Sequence, residues 1–164
     1  MIWFWSIIIF PLFYFFAILQ TSFLIYFNLF GSIPNLIFVL FFISIFYTPK
    51  NNYYFIIFVG LLAGIFLDII SISQFGISII LLIIIGLLIK KIQFLLKDND
   101  NGYSLFYFLV IFLGSLLIYN LVLQNLSINL INSLIELVYS SVFAIFGFFI
   151  VKKVLKNRKS NKIF

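Results

Sequence analysis

Few residues in this chain could do chemistry. The only acids are Asp68, Asp98, Asp100 and Glu136, and there is no cysteine and no histidine among the 164 residues. Thiolate and disulfide chemistry are therefore excluded. So are the usual general base near neutral pH and the commonest metal ligand. Asp98 and Asp100 sit in a polar stretch, KDNDNG (97–102), that reads as a loop. Asp68 and Glu136 instead interrupt long apolar runs. An acid at the centre of a membrane helix costs about 2.5–3.5 kcal/mol on insertion scales, so each needs a specific partner. General acid–base work by this pair would need the two carboxyls close together beside a substrate site. No nucleophile elbow, phosphate loop or metal cluster accompanies them in the sequence. No enzymatic activity, catalytic residue, metal or cofactor is expected.

The spacing around both acids is more informative than the acids alone. Gly60, Gly64 and Asp68 step by four and share one helical face. The GxxxG pair permits close approach of another helix. That helix could belong to this chain, as internal packing, or to a partner subunit, with Asp68 as polar anchor. Asp68 falls at the C-terminal end of its run, where the helix dipole disfavours an anion, and the nearest lysines, Lys90 and Lys91, belong to the opposite end of the next run. Three resolutions are open. Asp68 is protonated; or it accepts hydrogen bonds from the start of the next helix near Gly76 and Ser78, or from Ser71, Ser73 and Gln74; or it meets a cation from another subunit. A second stripe, Ser133, Glu136, Ser140, Ala144 and Gly147, steps by threes and fours. It either packs the bundle, with Glu136 bonded to Asn or Ser neighbours, or lines a cavity or interface shared with Asp68. The candidate partner-binding residues are Gly60, Gly64, Asp68, Glu136 and Ser140.

The elements that must position these residues are membrane helices. The chain is 65% hydrophobic and 9% charged, against about 25% charged in soluble domains, and its mean hydropathy is +1.30. Both point to a single integral membrane domain. The opening, MIWFWSIIIFPLFYFF, has no basic n-region or small-residue cleavage site and is expected to be a retained span, not a signal peptide. With about 20 apolar residues needed per crossing, six spans are expected at about 3–27, 33–47, 53–70, 76–96, 103–124 and 130–151. In the first, Trp3 and Trp5 suit the interface, Pro11 permits a kink, and Gln20 and Thr21 should face protein. The second is short and could be re-entrant, with Ser32 near its N-cap and Pro34 in its first turn.

Charge sets the expected orientation. With the N-terminus in the cytoplasm, loop 48–52, the 90–102 region and the tail 152–164 share one side and hold all ten basic residues: Lys50, Lys90, Lys91, Lys97 and six in the tail, from Lys152 to Lys162. The connectors near 28–32, 71–75 and 125–129 carry no charge. This is the positive-inside pattern with both termini cytoplasmic. The net charge of +6 therefore reads as a topology signal and an attraction to the lipid bilayer's anionic surface, and no nucleic acid partner is expected.

Two segments carry a family resemblance: SIPNLIFVLFF (32–42) and GLLAGIFLDIISISQFGISIILLIIIGLLIKKI (60–92). Together they resemble the rod shape-determining protein MreD family, in which a Pro-acidic-Leu opening of the second span is followed by a Gly-Leu-rich span ending near an Asp, a turn with a Gly, and a long apolar run ending in basic residues. Here these are Pro34-Asn35-Leu36, Gly60 to Asp68, Gly76, and Lys90-Lys91, with Asn35 departing from the acidic residue. The resemblance implies an all-α membrane protein, a six-transmembrane-helix bundle similar in fold to the substrate-binding subunits of energy-coupling-factor transporters. It implies a multi-pass protein of the cell inner (plasma) membrane, a non-enzymatic subunit of the cell-elongation machinery that maintains cell shape. Its implied partners are an MreC-like membrane-anchored protein and other cell-elongation and wall-synthesis membrane proteins, through which cytoplasmic actin-like filaments are coupled to peptidoglycan synthesis. The alternative is a small-molecule-binding subunit of a membrane transporter, with Asp68, Glu136, Gln20 and Asn120 lining a pocket open to the outside.

Overall fold

A computed structural model describes residues 2–28, 31–49, 52–70, 75–95, 105–123 and 130–160. These residues are helical almost throughout. Helix α1 (Ile2–Ile18) continues without interruption past Pro11 and passes into a π-helical turn (Leu19–Phe23) and a 3-10 turn (Leu24–Phe27). Then follow α2 (Leu36–Phe46), α3 (Tyr53–Ile70), α4 (Ile77–Leu95), α5 (Leu105–Leu123) and α6 (Leu130–Ser160). The 71–74, 97–102 and 125–129 connectors, with Lys50, Asp98, Asp100, Ser71, Ser73 and Gln74, lie outside the described residues.

Five of these segments are long and apolar enough to cross a membrane: Ile9–Phe27, α3, α4, α5 and Ile131–Val154. The sixth expected span, 33–47, is not one of them, because α2 has only 11 residues, about 17 Å at 1.5 Å per residue. Its start explains the shortfall. Pro34 biases Ile33 before it toward extended backbone and has no amide of its own to give a helix. The cap is Asn35, not Ser32, and the helix opens two residues after the proline instead of around it. At the other end, α6 runs through Lys152 to Ser160. The basic tail that follows the expected span 130–151 therefore begins as a continuation of the last helix.

The short helix sits in the middle. It touches α1, α3, α4 and α6, and Ile37, Phe38, Phe41, Phe42, Ile45 and Phe46 are all buried. Phe42 meets Phe108 and Phe112 of α5 at 5.2 and 5.1 Å between ring centroids, both edge-on. Phe46 meets Phe108 at 5.0 Å, and Phe108 meets Phe148 of α6 at 4.9 Å. Edge-to-face pairs at these separations each add about 0.5–1.5 kcal/mol to simple burial. Aromatic side chains thus fill the bundle centre.

Helices α3 and α4 form the closest pair. A Cβ added to Gly60 would lie 3.0 Å from the Ile83 side chain, and one added to Gly64 would collide with the Ile79 backbone. From the other side, a Cβ on Gly86 would lie 2.8 Å from Ile56. The two helices approach each other through positions where a side chain has been removed.

Candidate functional site

A helix too short to cross hydrocarbon leaves polar backbone groups at membrane depth, where each unsatisfied one costs several kcal/mol. Those of α2 are the key to the polar residues of this chain. At the N-terminal end four amides lack partners within the helix. The Asn35 amide donates to Ser140 Oγ of α6 at 2.9 Å. The Leu36 and Ile37 amides both donate to Gln20 Oε1, at 3.0 and 3.4 Å. The Phe38 amide donates to the Asn35 side chain at 3.0 Å, and the first intrahelical bond is Val39 to the Asn35 carbonyl. All four free donors are thereby accepted by side chains. Just before the helix, the Ser32 hydroxyl donates to the Asn132 carbonyl of α6 at 2.9 Å. The π-helical turn that interrupts the first segment is the piece of backbone that carries Gln20 to this end.

The C-terminal end is closed by different chemistry. The Ser44 carbonyl accepts from Thr48 Oγ1 at 2.6 Å and the Ile45 carbonyl from the Thr48 amide at 3.1 Å. The Phe46 carbonyl accepts from Gln93 Nε2 at 3.2 Å. Lys90 Nζ donates to the Thr48 carbonyl at 2.6 Å and to Gln93 Oε1 at 2.8 Å, with a longer bond of 3.5 Å to the Phe46 carbonyl. Lys90 is 4% exposed and Gln93 is fully buried. Lys90, expected to turn outward with Lys91, instead turns inward as an ammonium clamp. A cation at a helix C-terminus also complements its dipole.

Asp68 is 5% exposed. Its carboxylate accepts from the Gly76 amide at 2.6 Å and the Ser78 amide at 3.2 Å. Of the three resolutions left open by the sequence, the structure takes hydrogen bonds from the start of the next helix. The end of α3 is unfavourable for an anion, but the carboxylate lies against the N-terminus of α4, where the dipole favours one. Gly76 has φ +101°, a conformation open to glycine that lets its amide turn toward Asp68. Gly60, Gly64 and Asp68 do share a face, and α4 covers it. A partner helix could reach that face only after α4 had left.

Glu136 is half-buried. Its Oε2 accepts from Asn120 Nδ2 at 3.2 Å, and the Asn35 side chain also bonds to it. Ser140 is fully buried and occupied with the Asn35 amide. Of the rest of that stripe, Ser133 and Ala144 are buried, and a Cβ on Gly147 would strike Ile43 of α2. The stripe packs on the short helix. The two acids share one end of the bundle and are joined through consecutive residues of α5: Tyr119 bonds to Ser78 at 3.2 Å, and Asn120 to Glu136. Thr21, expected to face protein, is exposed and donates to the Ala17 carbonyl of its own helix at 2.9 Å.

Sequence reasoning missed the inward role of Lys90 and the existence of the Gln93 contact. Their i, i+3 spacing was the one available signal, since it puts a donor and an acceptor on the same helical face. Nothing in the sequence pointed to the carbonyls they would meet.

Chemically, this is a set of hydrogen-bond acceptors and donors consumed in closing helix ends inside an all-α bundle. Five helices among the described residues, long and apolar enough to cross a membrane, make the chain a multi-pass membrane protein. Comparison with family models, with curated proteins and with solved structures returned no match.

Proposed function

We propose that this protein is a non-enzymatic membrane scaffold of the bacterial cell-elongation machinery, of the MreD kind, which binds an MreC-like membrane-anchored protein and links cytoplasmic filaments to peptidoglycan synthesis. The observation that carries this reading is the filled centre. Among the described residues, α2 places packed aromatic rings where a ligand-binding subunit would keep a wet pocket, and Asp68, Gln20, Asn120 and Glu136 each bond within the chain. A rigid bundle that spends its polar groups on itself offers neighbours its outer surface.

A six-crossing layout with cytoplasmic termini, in which the non-helical residues 31–35 and α2 together make the second crossing, belongs to the same proposal. It is supported by contacts that gather the basic ends of several helices. Lys90 bonds to the Thr48 carbonyl, and Tyr47 meets Phe148 at 6.2 Å between ring centroids. The end of α2, the end of α4 and the basic half of α6 are thus neighbours.

The experiment is affinity capture of the tagged full chain from native membranes, with depletion of the protein in a rod-shaped bacterium that carries it. Co-purification of an MreC-like protein and rounding of the cells are expected. Capture of no wall-synthesis protein together with unchanged rods would refute the scaffold role. Accessibility labelling of the C-terminus and the 97–102 connector on opposite sides would refute the layout.

A further inference from the structure

One groove on the outside of the bundle has no role in the scaffold reading. It runs between α4 and α5, has a volume of about 400 Å³, and is walled by Leu88, Ile89 and Ile92 on one side and Val110, Gly114 and Ile118 on the other. Ser115 and Tyr107 also line it, but the Ser115 hydroxyl is turned to the Phe112 carbonyl at 2.8 Å and the Tyr107 hydroxyl is buried. The wall offered to a ligand is therefore hydrocarbon.

Gly114 distinguishes this groove from the rest of the molecule. Glycines 60, 64, 86 and 147 are each pressed by a neighbour, so each makes room for another part of this chain. A Cβ on Gly114 would have nothing within 4 Å. A mid-helix glycine costs about 0.5–1 kcal/mol relative to alanine, and no contact within the described residues calls for it. Among the described residues nothing fills the space beside Gly114.

We propose that the groove holds one acyl chain of an anionic phospholipid, with its headgroup drawn to Lys91. The volume favours a chain over a helix. A helix is about 10 Å across, so only its side chains would enter such a space, whereas a single acyl chain lies within it. Along α5 the lining runs from Tyr107 to Ile118, about 17 Å at 1.5 Å per residue, a length matched by an extended acyl chain in one leaflet. The charge is complementary. Lys90 is turned into the bundle, which leaves Lys91 as the exposed cation of the pair. Lys91 follows Leu88 by three residues and adjoins Ile92, so it is a surface neighbour of the groove wall. The proposal is independent of the scaffold role.

The test uses the full chain in phosphatidylcholine nanodiscs doped with phosphatidylglycerol bearing a photoreactive acyl chain. Labelling is expected to concentrate on α4 and α5 peptides that contain Leu88 and Val110. Gly114→Leu, which fills open space and disturbs no neighbour, should abolish that local labelling. Lys91→Gln should lower it about fivefold, the factor that one surface lysine contributes toward anionic lipid. Equal labelling by a phosphatidylcholine probe, or labelling spread around the bundle and unchanged in Gly114→Leu, would overturn the proposal. Photocrosslinking from position 88 in native membranes is expected to capture phospholipid; capture of a protein there would overturn it in favour of a transmembrane partner.

Discussion

The α3–α4 pair and the short helix α2 are held by opposite means. The pair is held by absence of side chains: Gly60 and Gly64 let α4 lie against α3, and one carboxylate, Asp68, closes the turn between them. The short helix is held by presence. Side chains from three other helical segments reach it, with Gln20 and Ser140 at one end and Lys90 and Gln93 at the other. Close packing is available to a long helix, whose backbone bonds are internal along most of its length. A helix of 11 residues has a large share of its backbone groups at its ends, so polar closure dominates. Its two ends differ in turn: neutral oxygens accept the free amides, whereas the free carbonyls face a buried ammonium.

This contrast can be broken at either side. The largest effect is expected from Gly64→Leu, which drives a side chain into the Ile79 backbone and should cost about 3 kcal/mol, at the upper end for overpacked cores. Denaturant titration in detergent would read it, and wild-type stability would mean that the helices do not need their present separation. Lys90→Met strips the ammonium from the Thr48 carbonyl and leaves Gln93 Oε1 bare, an expected loss of about 2 kcal/mol. Faster hydrogen exchange near residues 46–49, with the α3–α4 amides unchanged, would locate the damage. Gln20→Leu leaves the Ile37 amide without an acceptor and the Leu36 amide with the Pro34 carbonyl alone, at 3.1 Å, and about 1 kcal/mol is expected. Exchange should quicken at those two amides and not at Phe38, which Asn35 caps. Asp68→Asn keeps one acceptor oxygen for two amides and should cost about 1 kcal/mol, whereas Asp68→Leu keeps none and should cost more; equal stability of the two would remove the carboxylate from its role at α4. The smallest change is expected for Tyr119→Phe, which loses a single neutral bond to Ser78, about 0.5–1 kcal/mol.

The face of α3 that is approached was legible because its signals are local, although the choice between internal and partner packing and among three resolutions for Asp68 stayed open. A GxxxG pair and an acid four residues on fix one face of α3, and Gly76 and Ser78 follow within a few residues of the turn. The short helix was only half legible. Pro34 marked the region where it opens, but the cap was expected at Ser32 and lies at Asn35, and a window of apolar residues cannot distinguish a crossing helix from a buried one of 11 residues.

Composition and hydropathy alone determined that this chain lives in hydrocarbon as a bundle of helices, because so few charged residues cannot cover a soluble surface. The spacing of its glycines determined that α3 would be approached closely. Only the tertiary structure decided that the approaching helix is α4, that Lys90 points inward, and that Gln20 and Ser140 finish a helix to which neither belongs. The reason is physical: partners 16 to 105 residues apart meet by chain topology, and no periodicity along a sequence encodes which backbone group a distant side chain will satisfy.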